Sequence, residues 1–594
     1  MTPIIKGLAP DLQEIKALIN TAQGIEKADI ALTGGNLVNV YTAEIQENIS
    51  VAIKGKRVAY TGKNIEPLTG PKTLVIDVRN KIISPGFIDG HHHIMSYSTV
   101  ESFLRASIPS GTTTVITETM EMNFCAGYEG ALEFIKSAED QPVKIFPTVS
   151  PMVSISAGAR SRVFDPELFR KLLRRNDIIG LGETYWNPVI RGEESLLQLF
   201  DWTHKGGKKC EGHTAGAKDG KLQAYVAAGN FSDHEPINVE ETLERLRLGI
   251  HVMIREGNNR QDLAEIARIL KHGIDLSRLS FCSDGIHPSD ILEHGYIEAS
   301  VQKAIDAGFD PVSAFRMGSL NAAHHFGLDD FIGGVAPGKL ADIVVLPDLK
   351  HIKPEMVISN GRIIARNGKA LVAPRPYKYP AWFKHLYSMS RPVRAEDLEL
   401  KIDSNRKRVR VRVINYITTL VTKEDIVELP VSGGQLLPQP EKDLLKVSII
   451  DGKDGPEKRF TGLVTGYGLK RGALASGSCW DIFGIVVVGS RDDDMVVAAN
   501  RLVELQGGAV LVENGKIVTE FALPVGTTVS EDPPLVLGER IEKLQKELEA
   551  RGVKWPDGFL TLNTISTPAI PHFRMSEEGL YSIRDARLVP LVVD

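Results

Sequence analysis

Between about residues 80 and 310 the chain alternates two textures of apolar and polar positions. Short apolar runs that stay free of charge until their C-terminal ends read as strands buried on both faces: "IISPGFIDG", "TTTVITET", "VKIFPTV", "IIGLGET", "KKCEGHT", "YVAAGNFSD", "HVMIREG" and "LSFCSDG". Between them, apolar residues recur at helical spacing. "FDPELFRKLLRR" offers Asp165 as N-cap, Pro166 at the first helical position and Leu168 with Leu172 one turn apart, and "NVEETLERLRLG" sets Val239, Leu243 and Leu246 on one face. "QDLAEIARILKHG" and "IEASVQKAIDAG" repeat the spacing and end in Gly273 and Gly308, which suit C-caps. Eight strand-helix units predict an α/β fold with a (β/α)8, TIM-like barrel rather than an open sheet.

The flanks have a different period. Residues 27–80 are short alternating strands with Gly turns, and "GGVAPGKLADIVVLPDLKHIKPEMVISNGRIIARNGKALV" returns to that texture after the barrel, with Asn-Gly turns at 360–361 and 367–368. The two pieces are expected to pair into one small β domain. The predicted organisation is residues 1–80 as the N-terminal part of this composite β domain, 81–332 as the barrel, and 333–373 as the C-terminal part. The Pro- and aromatic-rich residues 374–396 follow as a connector, and residues 397–594 as a C-terminal α+β domain. In the last region "DDDMVVAANRLVELQGG" is an amphipathic helix between the strand "IVVVGS" and the hairpin "AVLVENGKIVTEFAL".

Composition narrows the chemistry. Over 594 residues, 42% are hydrophobic and 24% charged, with a formal net charge of -5, which describes a soluble multidomain protein without nucleic-acid affinity. No apolar run reaches the roughly 18 residues of a membrane span and the N-terminus does not read as a secretory signal, so a cytoplasmic location is expected. The four cysteines, Cys125, Cys210, Cys282 and Cys479, form no Cys-x-x-Cys pair, so any metal must be held by His and carboxylates.

Residues able to hold a metal fall where barrel strands end, the face on which such barrels carry their chemistry. His91 and His93 follow the first strand, Glu183 ends the fourth, His213 the fifth, His234 follows the sixth and Asp284 ends the eighth. Strand alternation lets His91 and His93 share one ion and turns His92 to the other side. Four His and two carboxylates converging this way match a two-metal site of oxygen and nitrogen donors.

"PGFIDGHHH", "GTTTV", "GLGE", "GHTAG", "AAGNFSDHE", "VMIREG", "SDGIHPSD" and "APGKLADIVVL" resemble the amidohydrolase superfamily and, within it, the adenine deaminases, over nearly the whole chain. "GLKRGALAS" and "NRLVELQGGAVLVENGKI" resemble that family's extra C-terminal domain. The resemblance implies a hydrolase with two divalent ions, manganese or iron in preference to zinc. It implies His91 and His93 on one ion, His213 and His234 on the other, Glu183 bridging them, and Asp284 as the carboxylate that moves protons. Such a pair lowers the pKa of a water for attack at C6 of adenine, giving hypoxanthine and ammonia.

The sequence departs from the family around that site. Met95 stands where the family has Glu in Ile-Glu-Ser, Met120 where it has His in Asp-Pro-His-Glu, and Gly285 where a second Asp is usual. "WDIFG" at 480–484 replaces His-Asp-Ser-His-Asn and keeps only Asp481. Met95, Met120, Trp480 and Phe483 make the expected pocket more apolar, and Ile482 does the same, changing which heterocycle fits. Further candidates for substrate contact are Glu121, Tyr185, Arg255, Glu256 and His287, with Asn258, Asn259 and Trp186 on the same face and Glu235 orienting a ligand from behind. Cys282 reads as buried strand. The expected substrate is a purine or related heterocycle, and a homo-oligomer, dimer or higher, is expected. Ring opening of a cyclic amide or amidine is the alternative reaction, and a non-catalytic, metal-containing ligand sensor the alternative of another class.

Overall fold

The computed structural model describes residues 7–402, 406–570 and 572–593. Eight parallel strands form the barrel: Phe87–His92, Thr112–Thr117, Lys144–Val149, Gly180–Tyr185, Lys209–His213, Ser232–Asp233, His251–Arg255 and Leu279–Cys282. Their ladder runs as one group of five and one of three. Between the groups, Gly212 N donates to Ser232 Oγ at 3.0 Å, and Asp284 N donates to His91 O at 3.0 Å where the eighth strand returns to the first.

Two of the predicted strands depart most from their apolar runs. "IISPGFIDG" breaks at Gly86, so that Ile82–Pro85 lies in the flanking sheet and Phe87–His92 enters the barrel. A Cβ on Gly86 would stand 2.3 Å from Thr113 Oγ1, so only glycine lets the backbone cross between the two layers there. "YVAAGNFSD" begins as the end of the helix Asp219–Ala227, and only Ser232–Asp233 pairs as strand. Gly229, at φ +98°, ends that helical texture, which the apolar run alone does not reveal.

The flanking sheet has the order Lys369–Ala370, Arg362–Arg366, Met356–Ser359, Ile343–Leu346, Ile82–Pro85, Ile30–Asn39, Glu44–Lys54, Arg57–Gly62, with Leu74–Asp77 also paired to Ile30–Asn39. Both flanks of the barrel therefore contribute to one sheet. Asn360 and Asn367 sit at φ +49° and +50° in the Asn-Gly turns between its strands, a conformation Asn tolerates. Around the barrel, Asp165 caps the helix Pro166–Leu173 by accepting from the N–H groups of Glu167 and Leu168 at 2.9 and 3.2 Å.

A second nine-stranded sheet forms the core of the C-terminal region. Its strand Gly484–Gly489 is wholly buried. The helix Asp492–Leu505 lays Met495, Ala498, Ala499 and Leu502 on one face of it. The segment between barrel and C-terminal sheet is divided between them. Tyr379 and Phe383 belong to the barrel core, whereas Tyr387 and Val393 belong to the core of the C-terminal sheet.

This second unit sits on the barrel mouth. Val529–Ser530 pairs in parallel with Tyr97–Ser98, directly after the metal-capable histidines of the first strand. Glu578 accepts from the N–H groups of Ala157 and Gly158 at 3.1 and 2.9 Å, so a C-terminal carboxylate serves the open N-terminus of a barrel helix. Among the described residues no helix is long and apolar enough to cross a membrane.

Candidate metal centre

The charged ends of the barrel strands converge because each side chain leaves its strand where the sheet stops. Glu183 stands at the junction of two groups of imidazoles. Its Oε2 lies 3.6 Å from His91 Nε2 and 3.4 Å from His93 Nε2, while its Oε1 lies 3.4 Å from His213 Nε2. Asp284 Oδ1 lies 3.4, 3.5 and 3.9 Å from Nε2 of His91, His93 and His234. Glu235 Oε1 reaches His213 Nε2 at 3.3 Å and His234 Nε2 at 3.6 Å. Two sets are compact enough to close on an ion: His91, Glu183, His234 and Asp284, and His213, His234 and Glu235.

Charge explains what these sets require. Glu183, Glu235 and Asp284 are each buried; the permanent cations beside them are Arg255, 2.9 Å from Glu235 and bonded to Asp284, and Arg260, 3.5 Å from Glu235. Burial alone would raise the carboxyl of Glu183, yet the neighbouring imidazoles, His213 first, hold it well below the usual carboxylate range. Asp284 is held down likewise, burial being overcome chiefly by Arg255. Burial would favour neutral His91, but Asp284 and Glu183 outweigh it and raise its pKa to about 10. The cluster therefore attracts positive charge. His91 Nε2 and His213 Nδ1 are buried without a hydrogen-bond partner, a costly state for ring nitrogens. Imidazole nitrogens and carboxylate oxygens left open in this arrangement fit divalent metal ions.

Support comes from behind. Glu121 Oε1 meets His93 Nδ1 at 2.7 Å and accepts from Ser96 Oγ at 2.9 Å, which fixes the ring with Nε2 towards Glu183. Glu118 Oε1 accepts from the N–H of Glu183 at 2.9 Å. A Cβ on Gly182 would stand 2.1 Å from Glu118 Oε2, so the "GLGE" glycine makes room for that carboxylate. Asp284 is held at φ +54°, outside the ordinary range for a residue with a side chain. His92 turns away: its Nδ1 meets Ser283 Oγ at 2.5 Å and its ring packs 4.8 Å from Phe103.

A cavity of about 280 Å³ opens over this centre, lined from both units. Of the residues singled out in the sequence, Met120, Glu121, Tyr185, Arg255, His287, Trp480, Asp481 and Ile482 line it, as do Asn258 and Asn259. Four expected contacts lie elsewhere. Met95 is fully buried in the barrel core, with Tyr379 Oη 3.8 Å from its sulfur, because the chain turns inward after His93. Glu256 accepts from Leu263 N at 2.8 Å and pairs with Lys303 outside the mouth. Phe483 packs against Tyr387, ring centroids 5.4 Å apart, within the C-terminal unit. Trp186 donates to Ala215 O at 2.8 Å, and Cys282 is buried strand whose thiol burial pushes well up.

Two participants escaped the sequence reading. The sequence places Glu235 in support behind a ligand, yet it closes one of the two ion-sized sets; its place beside His234 is the available signal. Glu118 ends the second strand as Glu183 ends the fourth, which marked it as mouth-facing, but its bond to the Glu183 backbone depends on the approach of two strands.

The chain matches the amidohydrolase family over residues 82–369 and the adenine deaminase C-terminal domain over residues 419–587. It is 33% identical to an adenine deaminase of Staphylothermus marinus, over 98% of either chain. It is 32% identical to one of Cenarchaeum symbiosum, over 98% of this chain and 96% of the relative, and 32% identical to one of Moorella thermoacetica over the full length of both.

Proposed function

Because the chain belongs to the adenine deaminase family of amidohydrolases, we propose that its cavity takes adenine and that water replaces the exocyclic amine at C6, giving hypoxanthine and ammonia. The observation that carries this is Glu183, whose two oxygens face different groups of histidines beside a carboxylate, Asp284, with one oxygen among the imidazoles. The full-length relation to enzymes of that name favours deamination over ring opening or ligand sensing.

In this reading His91 and His93 hold one divalent ion, His213 and His234 the other, and Glu183 and Asp284 complete the set, with Glu235 beside the second. The donor set, without thiolate, suits manganese or iron. When bound, such ions supply the positive charge that brings a water's pKa towards neutrality. Asp284 takes the proton of the attacking water and passes it to the departing nitrogen. Arg255 holds the other oxygen of Asp284, so the proton-accepting oxygen keeps its direction. Glu121 keeps His93 in one tautomer. Tyr97, tilted on His287 with ring centroids 5.2 Å apart, and Trp480 give apolar walls suited to a flat ring. The cytoplasmic and homo-oligomeric reading belongs to this proposal and is tested by cell fractionation and sedimentation.

The experiment is to load the protein with manganese or iron and follow ammonia and ultraviolet absorbance on adenine together. Ammonia release with conversion to the hypoxanthine spectrum is expected. Loss of ring absorbance, or no turnover by protein shown to carry metal, overturns the assignment.

A further inference from the structure

Asp481 reaches the cavity from the C-terminal unit, yet its carboxylate is already engaged. The residue is 3% exposed and sits at φ +62°, so the chain is bent sharply to deliver it. Its carbonyl accepts from Ser154 Oγ of the barrel at 2.7 Å. The Tyr185 hydroxyl lies 3.1 and 3.0 Å from its two carboxylate oxygens. Thr567 Oγ1 donates to Oδ2 of the same carboxylate. Tyr185 is itself mounted on the metal-facing wall, its ring edge-on to His213 with centroids 5.1 Å apart.

The donors and acceptors can be counted. Thr567 Oγ1 accepts from Ala569 N at 3.0 Å, so its own proton is the one given to Asp481. Burial raises the Asp481 carboxyl to about 7; above that pH it is a carboxylate and only accepts, so the Tyr185 proton also goes to Asp481. The other neighbours of the Tyr185 hydroxyl are the Thr567 hydroxyl, whose proton is the one given to Asp481, and Met120 Sδ at 3.9 Å, at most a weak acceptor. The Tyr185 oxygen, lining the cavity, is left with lone pairs and no proton to offer.

We propose that Asp481 is a positioning residue for the reaction: by taking the Tyr185 proton it makes the hydroxyl a pure acceptor, which receives an N–H of the amidine substrate and opposes the carbonyl of the product. This rests on the deaminase reading and adds to it. Substrate and product differ at the reacting carbon by an N–H-bearing amine against a carbonyl oxygen, so a wall that accepts but cannot donate discriminates between them. The C-terminal unit thereby sets a polarity inside the barrel.

Asp481→Asn reverses the logic. Thr567 still donates, which places the amide oxygen at the Oδ2 position and the amide N–H2 towards Tyr185; the tyrosine proton is then turned into the cavity. With metal-loaded protein, the expected result is a KM for adenine raised about tenfold and an inhibition constant for hypoxanthine lowered about tenfold, with metal content unchanged. Tyr185→Phe is expected to bring the two affinities together. The double variant should match Tyr185→Phe within about twofold, because Asp481 acts through the tyrosine. An unchanged adenine-to-hypoxanthine ratio in Asp481→Asn, or losses that multiply in the double variant, overturns the proposal. Calorimetric titration of both purines keeps the two readings apart: wild type that turns over no adenine sinks the deaminase assignment, whereas the ratio of affinities tests Asp481 alone. If Asp481→Asn does not fold, the ratio in Tyr185→Phe decides, and a ratio equal to wild type counts against the proposal.

Discussion

The barrel carries buried ionic groups at both ends, and they are completed in opposite ways. At the end where strands begin, Lys144 Nζ lies 2.7 Å from Asp342 Oδ1 of the flanking sheet, 3.3 Å from Ser359 Oγ and 3.4 Å from Asn360 Oδ1. Asp342 also accepts from Asn360 N at 3.0 Å. One cation meets one carboxylate through Asp342 Oδ1, while Oδ2 is left without a hydrogen-bond partner. Where the strands finish, Glu183, Glu235 and Asp284 face four imidazoles and the guanidinium groups of Arg255 and Arg260, and two ring nitrogens have no partner. Both clusters are buried, so burial does not separate them. What does is composition: one pairs a single cation with a single carboxylate between two layers, whereas the other gathers three carboxylates around open imidazole nitrogens, the donor types that a metal ion takes.

That contrast is broken or sharpened by substitution, the largest effect first. Asp284→Asn should lower kcat by about 10²–10⁴-fold while metal analysis shows the ions still bound. Glu183→Gln should lose ions and turnover together. Near-normal activity in Asp284→Asn would remove it from proton transfer. At the other end, Lys144→Met strands Asp342 in the interior and should cost about 3–5 kcal/mol of stability, read by urea denaturation. Its kcat per folded molecule and metal content should not change, and if either does, the two ends are not independent. Glu235→Gln should weaken metal binding by about 10–100-fold, measured by competition with a chelator; no change would place Glu235 outside the ion's reach. Phe483→Ala should leave KM for adenine within about twofold, since its ring lies in the C-terminal unit, away from the cavity.

Much of the candidate site is legible in the sequence. The six metal-capable residues stood out because barrel strands are apolar until they reach the mouth, so a His or carboxylate at the end of such a run has few structural reasons to be there. Fold class followed from the same alternation. Substrate contacts were harder to read: Met95 and Met120 depart from the family in the same way, yet Met95 is core and Met120 lines the cavity. A local pattern cannot tell these apart, because the direction of a side chain past a strand's end is set by what packs over it. Here that is the segment Val525–Ser530 and the Tyr379 ring, both remote in sequence.

Local chemistry thus determined the barrel, its flanking strands, the cap at Asp165 and the residues that make up the candidate metal centre, because each depends on residues close in the chain or on a period along it. Tertiary structure alone decided that Glu183 faces both groups of histidines, that Glu235 joins one of them, and that Asp481 commits the proton of Tyr185. Those depend on distances of a few ångströms between segments up to about 300 residues apart, and no period in the sequence encodes the closing of such gaps.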